Sequence, residues 1–189
     1  MSNHATLVGE WFGSSFARLH PLLQQLHSQP AARVAGTVVM RFGTGLAGVL
    51  GRRLARRLGM PDVAGPQPLL VDVGHDAKQM RWQRRFGDGH ALLSVFAPVG
   101  HYPDGHWIED TGRIALTLQV DLVGDGWDWR LVGARLRGKS LPLWLLPRFS
   151  AYKRVVAGRY SFHVGFALPG LGELMAYEGL LDPVPVGGA

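Results

Sequence analysis

The chain has 189 residues, the length of one ordinary domain, and with 47% hydrophobic and 18% charged residues it is too apolar for a disordered polymer. Its 26 Gly and 12 Pro fall between patterned segments without a repeat period, and the absence of cysteine excludes a disulfide scaffold, a thiolate metal site and a cysteine nucleophile. The net charge of +6 (pI near 10.3) is carried almost wholly by arginine, the lysines being Lys78, Lys139 and Lys153, and it favours anionic or planar partners.

Residues 1–13 carry Glu10 and have neither a basic start nor an apolar run, so no signal peptide is expected. Trp11, Phe12, Phe16, Leu19, Leu22, Leu23 and Leu26 follow a helical stripe that Pro21 divides into two short helices. Residues 33–41 are short and β-branched, which predicts a first strand. The period then changes. Thr44 can cap a helix over 44–58 whose Leu46, Val49, Leu50, Leu54 and Leu58 form an apolar face, with Gly59 and Pro61 as the stop.

After a loop at 61–68, the pattern predicts strands at 69–74, 79–86, 90–97, 107–123, 127–137, 148–157, 159–168 and 173–181. Ile114, Leu116, Leu118, Val120 and Leu122 alternate with smaller or polar residues, the period of a half-buried strand. The links at 87–89, 124–126, 157–158 and 169–172 are short and glycine-bearing, so consecutive strands pair antiparallel, because parallel neighbours need long crossovers. The longest apolar run, 141–147, contains prolines and is far below the roughly 20 residues of a membrane helix. A cytoplasmic protein, peripheral to membranes at most, is the expectation.

These elements predict an α+β, mainly β fold: an antiparallel meander of about eight or nine strands, strongly curved or closed into a barrel, with N-terminal helices. The whole chain, 1–189, reads as a single domain, with a helical segment at 1–30, a β-rich body at 31–182 holding the 44–58 helix, and a tail at 183–189. Trp82, Phe86, Phe96, Trp107, Trp127, Trp129, Phe149, Tyr160, Phe162 and Phe166 can either line a pocket or fill a core. Exposed edge strands would permit a homodimer.

No nucleotide-binding loop, zinc-protease helix or nucleophile elbow is present. Arg84 shares strand parity with Met80, Trp82 and Phe86, which turns a guanidinium inward, and Glu109 is its expected partner, either in a structural ion pair or as an anchor for an anionic head. Arg159, after Gly158, has the same two readings or faces solvent. His101, His106, Glu109 and Asp110 cluster, but around Pro103 and Gly105 they read as a polar loop, and no metal or other cofactor is expected. His75, Asp76 and His163 offer acid–base groups, yet no serine is placed with them in a nucleophilic arrangement, so no reaction type is readable. Arg52, Arg53, Arg56 and Arg57 share one side of the 44–58 helix, a basic face for anionic lipid or an acidic protein, whereas the aromatics fall on patterned strands and argue against nucleic acid.

Several pieces in order carry a resemblance: Leu58-Gly59-Met60-Pro61 leading to Pro68-Leu69, Trp82-Gln83-Arg84-Arg85-Phe86-Gly87, Leu141-Pro142, Leu146-Pro147-Arg148, Gly158-Arg159-Tyr160-Ser161-Phe162, Leu168-Pro169, Gly172, and Tyr177-Glu178-Gly179-Leu180-Leu181. From about residue 19 onward the chain resembles a bacterial family of uncharacterised domains that occurs alone or fused behind a saccharopine-dehydrogenase-like reductase domain. The resemblance implies no activity, but it singles out Trp82, Arg84, Phe86, Glu109, Gly112 and Arg159. The chain departs from that pattern at His163, where an acidic residue is expected, at Leu180, where tryptophan is expected, and at Lys153, in a usually acidic segment. The resulting expectation is a pocket for a small, mostly apolar or amphipathic ligand involving Trp82, Arg84, Phe86, Glu109, Arg159, His163 and Tyr177. The alternative is a module that docks on a reductase or an anionic membrane through the arginine helix.

Overall fold

The computed structural model describes residues 6–87, 89–112 and 114–186. Asp88 in the expected 87–89 turn, Arg113 in the expected 107–123 strand, and the ends of the N-terminal segment and the tail lie outside those residues. Helix α1 (Leu7–Phe12) runs into a 3-10 turn (Gly13–Arg18), and Pro21 opens α2 (Pro21–His27), so the proline separates two helices. Strand β1 (Ala31–Phe42) leads to α3 (Gly45–Leu58), which stops at Gly59 in the left-handed conformation (φ 75°). The remainder is β2 (Gly65–His75), β3 (Met80–Phe86), β4 (Ala91–Val99), β5 (His106–Asp110), β6 (Ile114–Val123), β7 (Gly126–Leu136), β8 (Lys139–Ser140), β9 (Arg148–Val156), β10 (Arg159–Leu168) and β11 (Gly172–Pro183).

All pairings are antiparallel, in the order β6-β5-β4-β3-β2-β1-β11-β10-β9-β7, and β6 pairs with β7 to close a ten-stranded barrel. The two-residue β8 attaches to the far end of β7. Closure leaves none of the ten ring strands with a free edge along its whole length. The expected 107–123 strand is two strands. Thr111 and Gly112 interrupt it, with Gly112 at φ 82° donating its N–H to the Asp110 carboxylate at 2.6 Å, so turn chemistry overrides the alternation on either side.

The ring is uneven at one place. Strands β7 and β9 pair over three residues, Trp127 to Trp129 against Lys153 to Ala151, after which β7 turns to β8. The intervening segment lays Leu146 and Pro147 against the interior and leaves Trp144 81% exposed.

The two ends of the barrel are covered differently. At one end the N-terminal helices form an aromatic plug: Trp11 packs edge-on to Trp107 (centroids 5.4 Å apart), Phe12 packs on Trp127 (5.6 Å), and Leu19, Leu23 and Leu26 are buried. At the other, α3 lies across β11. The face it buries is offset from the apolar stripe that its sequence suggests: Ala47, Gly48, Gly51 and Ala55 are buried and Leu54 and Leu58 of the stripe pack against the core, whereas Leu46 and Val49 are about 60% exposed. The reason is proximity. A Cβ on Gly51 would stand 1.9 Å from the Leu174 carbonyl oxygen, so only the small-residue face can approach the strand this closely.

That contact reverses an ordinary expectation. In an open helix Gly→Ala stabilises by up to about 1 kcal/mol, but Gly51→Ala here should destabilise by about 1–3 kcal/mol because backbone must move. Gly74→Ala on β2, with nothing within 4 Å of the added methyl, should stay within about 0.5 kcal/mol of wild type. Urea unfolding of the two variants measures both.

Candidate functional site: the barrel cavity

Inward parity on the strands sets the composition of the interior. On β3, Met80, Trp82 and Phe86 are buried while Arg81, Gln83 and Arg85 are not, so Arg84 enters with the apolar set as its spacing predicts. The interior holds a cavity of about 220 Å³, lined mainly by Leu118, Trp129, Phe149, Phe162 and Phe166, with Leu54 and Leu58 of α3 at one end. The aromatics thus divide: these line the cavity, while Trp107 and Trp127 pack against the plug.

Polar side chains border this apolar space, among them Arg84, Glu109, Lys153, Tyr160 and Tyr177. Arg84 donates from Nη1 to Ser94 Oγ, a fully buried hydroxyl, at 2.9 Å. Among the described residues no ion pair joins Arg84 to Glu109, so the expected pair is not made, although both residues face the same cavity. Registry explains this: Arg84 pairs with Leu92 on β4, and Glu109 pairs with Phe96 further along that strand, placing serine nearer to the guanidinium than carboxylate. Burial pushes the Tyr160 and Tyr177 hydroxyls up, keeping both protonated as donors.

Lys153 was not among the candidates, yet it is the most unusual group in the interior. It is 6% exposed, its Nζ has no hydrogen-bond partner, and that nitrogen lies 3.5 Å from the centroid of the Trp82 ring and 5.0 Å from that of Trp127. An ammonium buried without an acceptor costs several kcal/mol, while an indole face returns about 2 kcal/mol. Desolvation therefore prevails and holds the amine well below the ordinary lysine range, Arg84 adding to the shift and Glu109 opposing it. On the plug side lie His27 and His75, ring centroids 5.6 Å apart and without hydrogen-bond partners on any ring nitrogen. Burial, and then the charge of Lys153, lowers both, His75 to about 4.

The other candidates separate by wall. Trp82 and Tyr177 line the cavity, and Phe86 is buried behind it against the Tyr177 ring at 6.4 Å. Arg159 is on the outer surface, donating to both carboxylate oxygens of Asp182 at 2.7 Å, and takes no part in the cavity. His163 is also among the residues that border the cavity, and its ring stacks on Tyr152 at 5.4 Å. There Nδ1 lies 3.0 Å from Glu178 Oε2 and Nε2 lies 3.1 Å from Ser150 Oγ, while Arg41 bonds the other Glu178 oxygen. A serine does therefore stand beside His163, which strand spacing alone did not reveal. These contacts form a hydrogen-bond chain that runs over Gly165.

On α3, Arg52 lies over the Phe42 ring and Arg56 pairs with Asp62 at 2.6 Å, whereas Arg53 and Arg57 are exposed. Among the described residues no three His, Asp or Glu side chains converge as a metal site.

Residues 19–181 match the family described as Domain of unknown function (DUF4166). The chain belongs to that family. The matched stretch holds α2 and nearly the whole ring, so the domain of unknown function is the barrel with its plug helix, while α1 precedes the match. No curated protein and no solved structure matches the chain.

The buried amine makes stability depend on pH. The folded lysine pKa is depressed and the unfolded value is near 10.4, so between them the unfolded chain binds the extra proton and folding is favoured as pH rises. Wild type should gain up to about 1.4 kcal/mol per unit between pH 7 and 9 relative to Lys153→Met, which keeps the apolar stem and removes the titration. Urea unfolding of both proteins at pH 7, 8 and 9 reads this slope. A constant difference would place a charged lysine in the folded interior.

Proposed function

We propose that this domain binds a small, mostly apolar ligand inside the barrel, with Arg84 orienting a polar or anionic head. The observation that carries the reading is the cavity of about 220 Å³ walled by aromatic and aliphatic side chains, with an arginine and a tyrosine pair on its border. A dry apolar cavity of about 150 Å³ suffices for benzene, so the interior suits one ring or a medium-length chain. Eight buried methylenes supply roughly 6 kcal/mol before the losses of association. The three-residue seam between β7 and β9, filled beyond by Leu146 and Pro147, is the entry route we favour. We place the protein in the bacterial cytoplasm.

Native mass spectrometry of the purified protein tests for a co-purified ligand. Calorimetry with 1-octanol and octanoate then tests the cavity. Both should bind; Ala151→Phe, which fills the space, should weaken both by more than about tenfold; and Arg84→Met should weaken octanoate by about tenfold while sparing octanol, the loss of a charge-assisted bond. Failure of both compounds to bind wild type would overturn the reading.

A second reading rests on α3. Arg53 and Arg57 are exposed beside exposed Leu46 and Val49, on the helix whose Leu54 and Leu58 cover the cavity end. We propose that this face meets an anionic surface, a membrane or an acidic reductase partner, where the ligand is exchanged. Changing Arg52, Arg53, Arg56 and Arg57 to glutamate should abolish sedimentation with phosphatidylserine vesicles or capture of a co-expressed reductase. Unchanged capture of both would reject it.

A further inference from the structure

We propose that Lys153 captures the carbonyl group of an apolar aldehyde or ketone as an imine inside the barrel, which names the ligand class for the cavity reading on which it rests. The argument begins with what the amine lacks. Its Nζ has no hydrogen-bond acceptor, and the residue is more than nine-tenths buried on the wall of an apolar cavity. A structural lysine at such depth is normally paired with a carboxylate; here the one carboxylate of the cavity, Glu109, makes no ion pair with it. A site built only for an anionic head would keep its cation charged, whereas the surroundings of Lys153 (indole faces, two unprotonated histidines and the Arg84 guanidinium) all leave the amine without a counter-charge in contact. A desolvated amine beside another cation is the arrangement that makes lysine a nucleophile at neutral pH.

The chemistry balances without an added redox partner. The Nζ lone pair attacks the carbonyl carbon and a carbon–nitrogen bond forms. The carbonyl oxygen takes up a proton and becomes the carbinolamine hydroxyl. That hydroxyl then leaves as water, taking a second proton, while nitrogen gives up both of its own. Tyr160 and Tyr177, kept in their protonated form on the same wall, and Glu109 are the groups that can relay these protons. The unbranched lysine stem swings from the Trp82 face to the cavity, and the apolar walls exclude the bulk water that would hydrolyse the imine.

The composition makes the test clean, because the other lysines, Lys78 and Lys139, are exposed. Wild type is incubated at pH 7 with octanal and sodium cyanoborohydride, which reduces an imine to a stable octyl amine, and is mapped by peptide mass spectrometry. Lys153 should be alkylated more than about tenfold faster than the solvent-exposed Lys78 or Lys139. Excess 1-octanol should slow that labelling. Lys153→Met should lose the adduct while still binding octanol, which shows that it is folded. Octanol binding to wild type with Lys153 unlabelled, or labelled no faster than the exposed lysines, overturns the imine and leaves the cavity reading standing. Absence of octanol binding to wild type, together with absence of labelling, overturns both.

Discussion

Ten antiparallel strands closed into one ring enclose more space than their own inward side chains fill, and the rest of the structure answers that constraint. Eight strands give an interior that side chains just occupy; ten do not. At one end the surplus is taken up by Trp11, Phe12 and the leucines of α2, packed against Trp107 and Trp127. At the other, α3 covers part of the opening from its position on β11, and between the two covers a cavity persists. A plug made of large rings suits this task, because a few aromatic contacts of about 0.5–1.5 kcal/mol each, added to their burial, close a wide end with little chain.

Closure also creates the electrostatic character of the interior. A ring with polar groups outside sends the outer-wall arginines to nearby carboxylates, as in Arg33 with Asp72, Arg154 with Asp128 and Arg159 with Asp182. Inside, carboxylates are scarce and the direct partner of each cation is neutral: Arg84 donates to Ser94, and Lys153 lies over the Trp82 and Trp127 rings. An arginine keeps its charge under such conditions because its pKa is beyond reach, while a lysine gives its charge up. The same wall position would therefore have different chemistry with the other basic residue.

The class of fold was legible because β-sheet alternation and short glycine turns are local signals: the inward set of β3, the hairpin at 124–126 and the α3 stop at Gly59 all follow from neighbours in sequence. Closure was not, since it depends on β1 meeting β11 from the other end of the chain and on β7 meeting β9 past the 137–147 segment, pairings that neighbouring residues do not specify. The face of α3 misled for a physical reason. Hydrophobicity favours burying Leu46 and Val49, but the close approach to Leu174 admits only glycine at position 51, and at a short helix–strand distance shape outranks apolar area. The Arg84–Glu109 pair was expected from charge alone, whereas pairing is decided by registry, which the sequence does not state.

Lys153 shows how much of the site was present in the sequence without being read. Phe149, Ala151, Lys153 and Val155 occupy alternate positions of β9, the pattern that turned Arg84 inward on β3, and the same rule applied to β9 predicts a lysine among apolar residues. What parity could not supply was the absence of a partner. That absence follows from the barrel, because the nearest strand to Lys153 across the seam is β7, where the paired residue is Trp127, and the helix beneath contributes His27. An unpaired amine is therefore a consequence of where the ring is closed and how its lower end is plugged. A residue of similar volume without the nitrogen would pack there at lower free energy; the position of the amine at the meeting point of seam, plug and cavity is what makes it worth testing as chemistry rather than as packing.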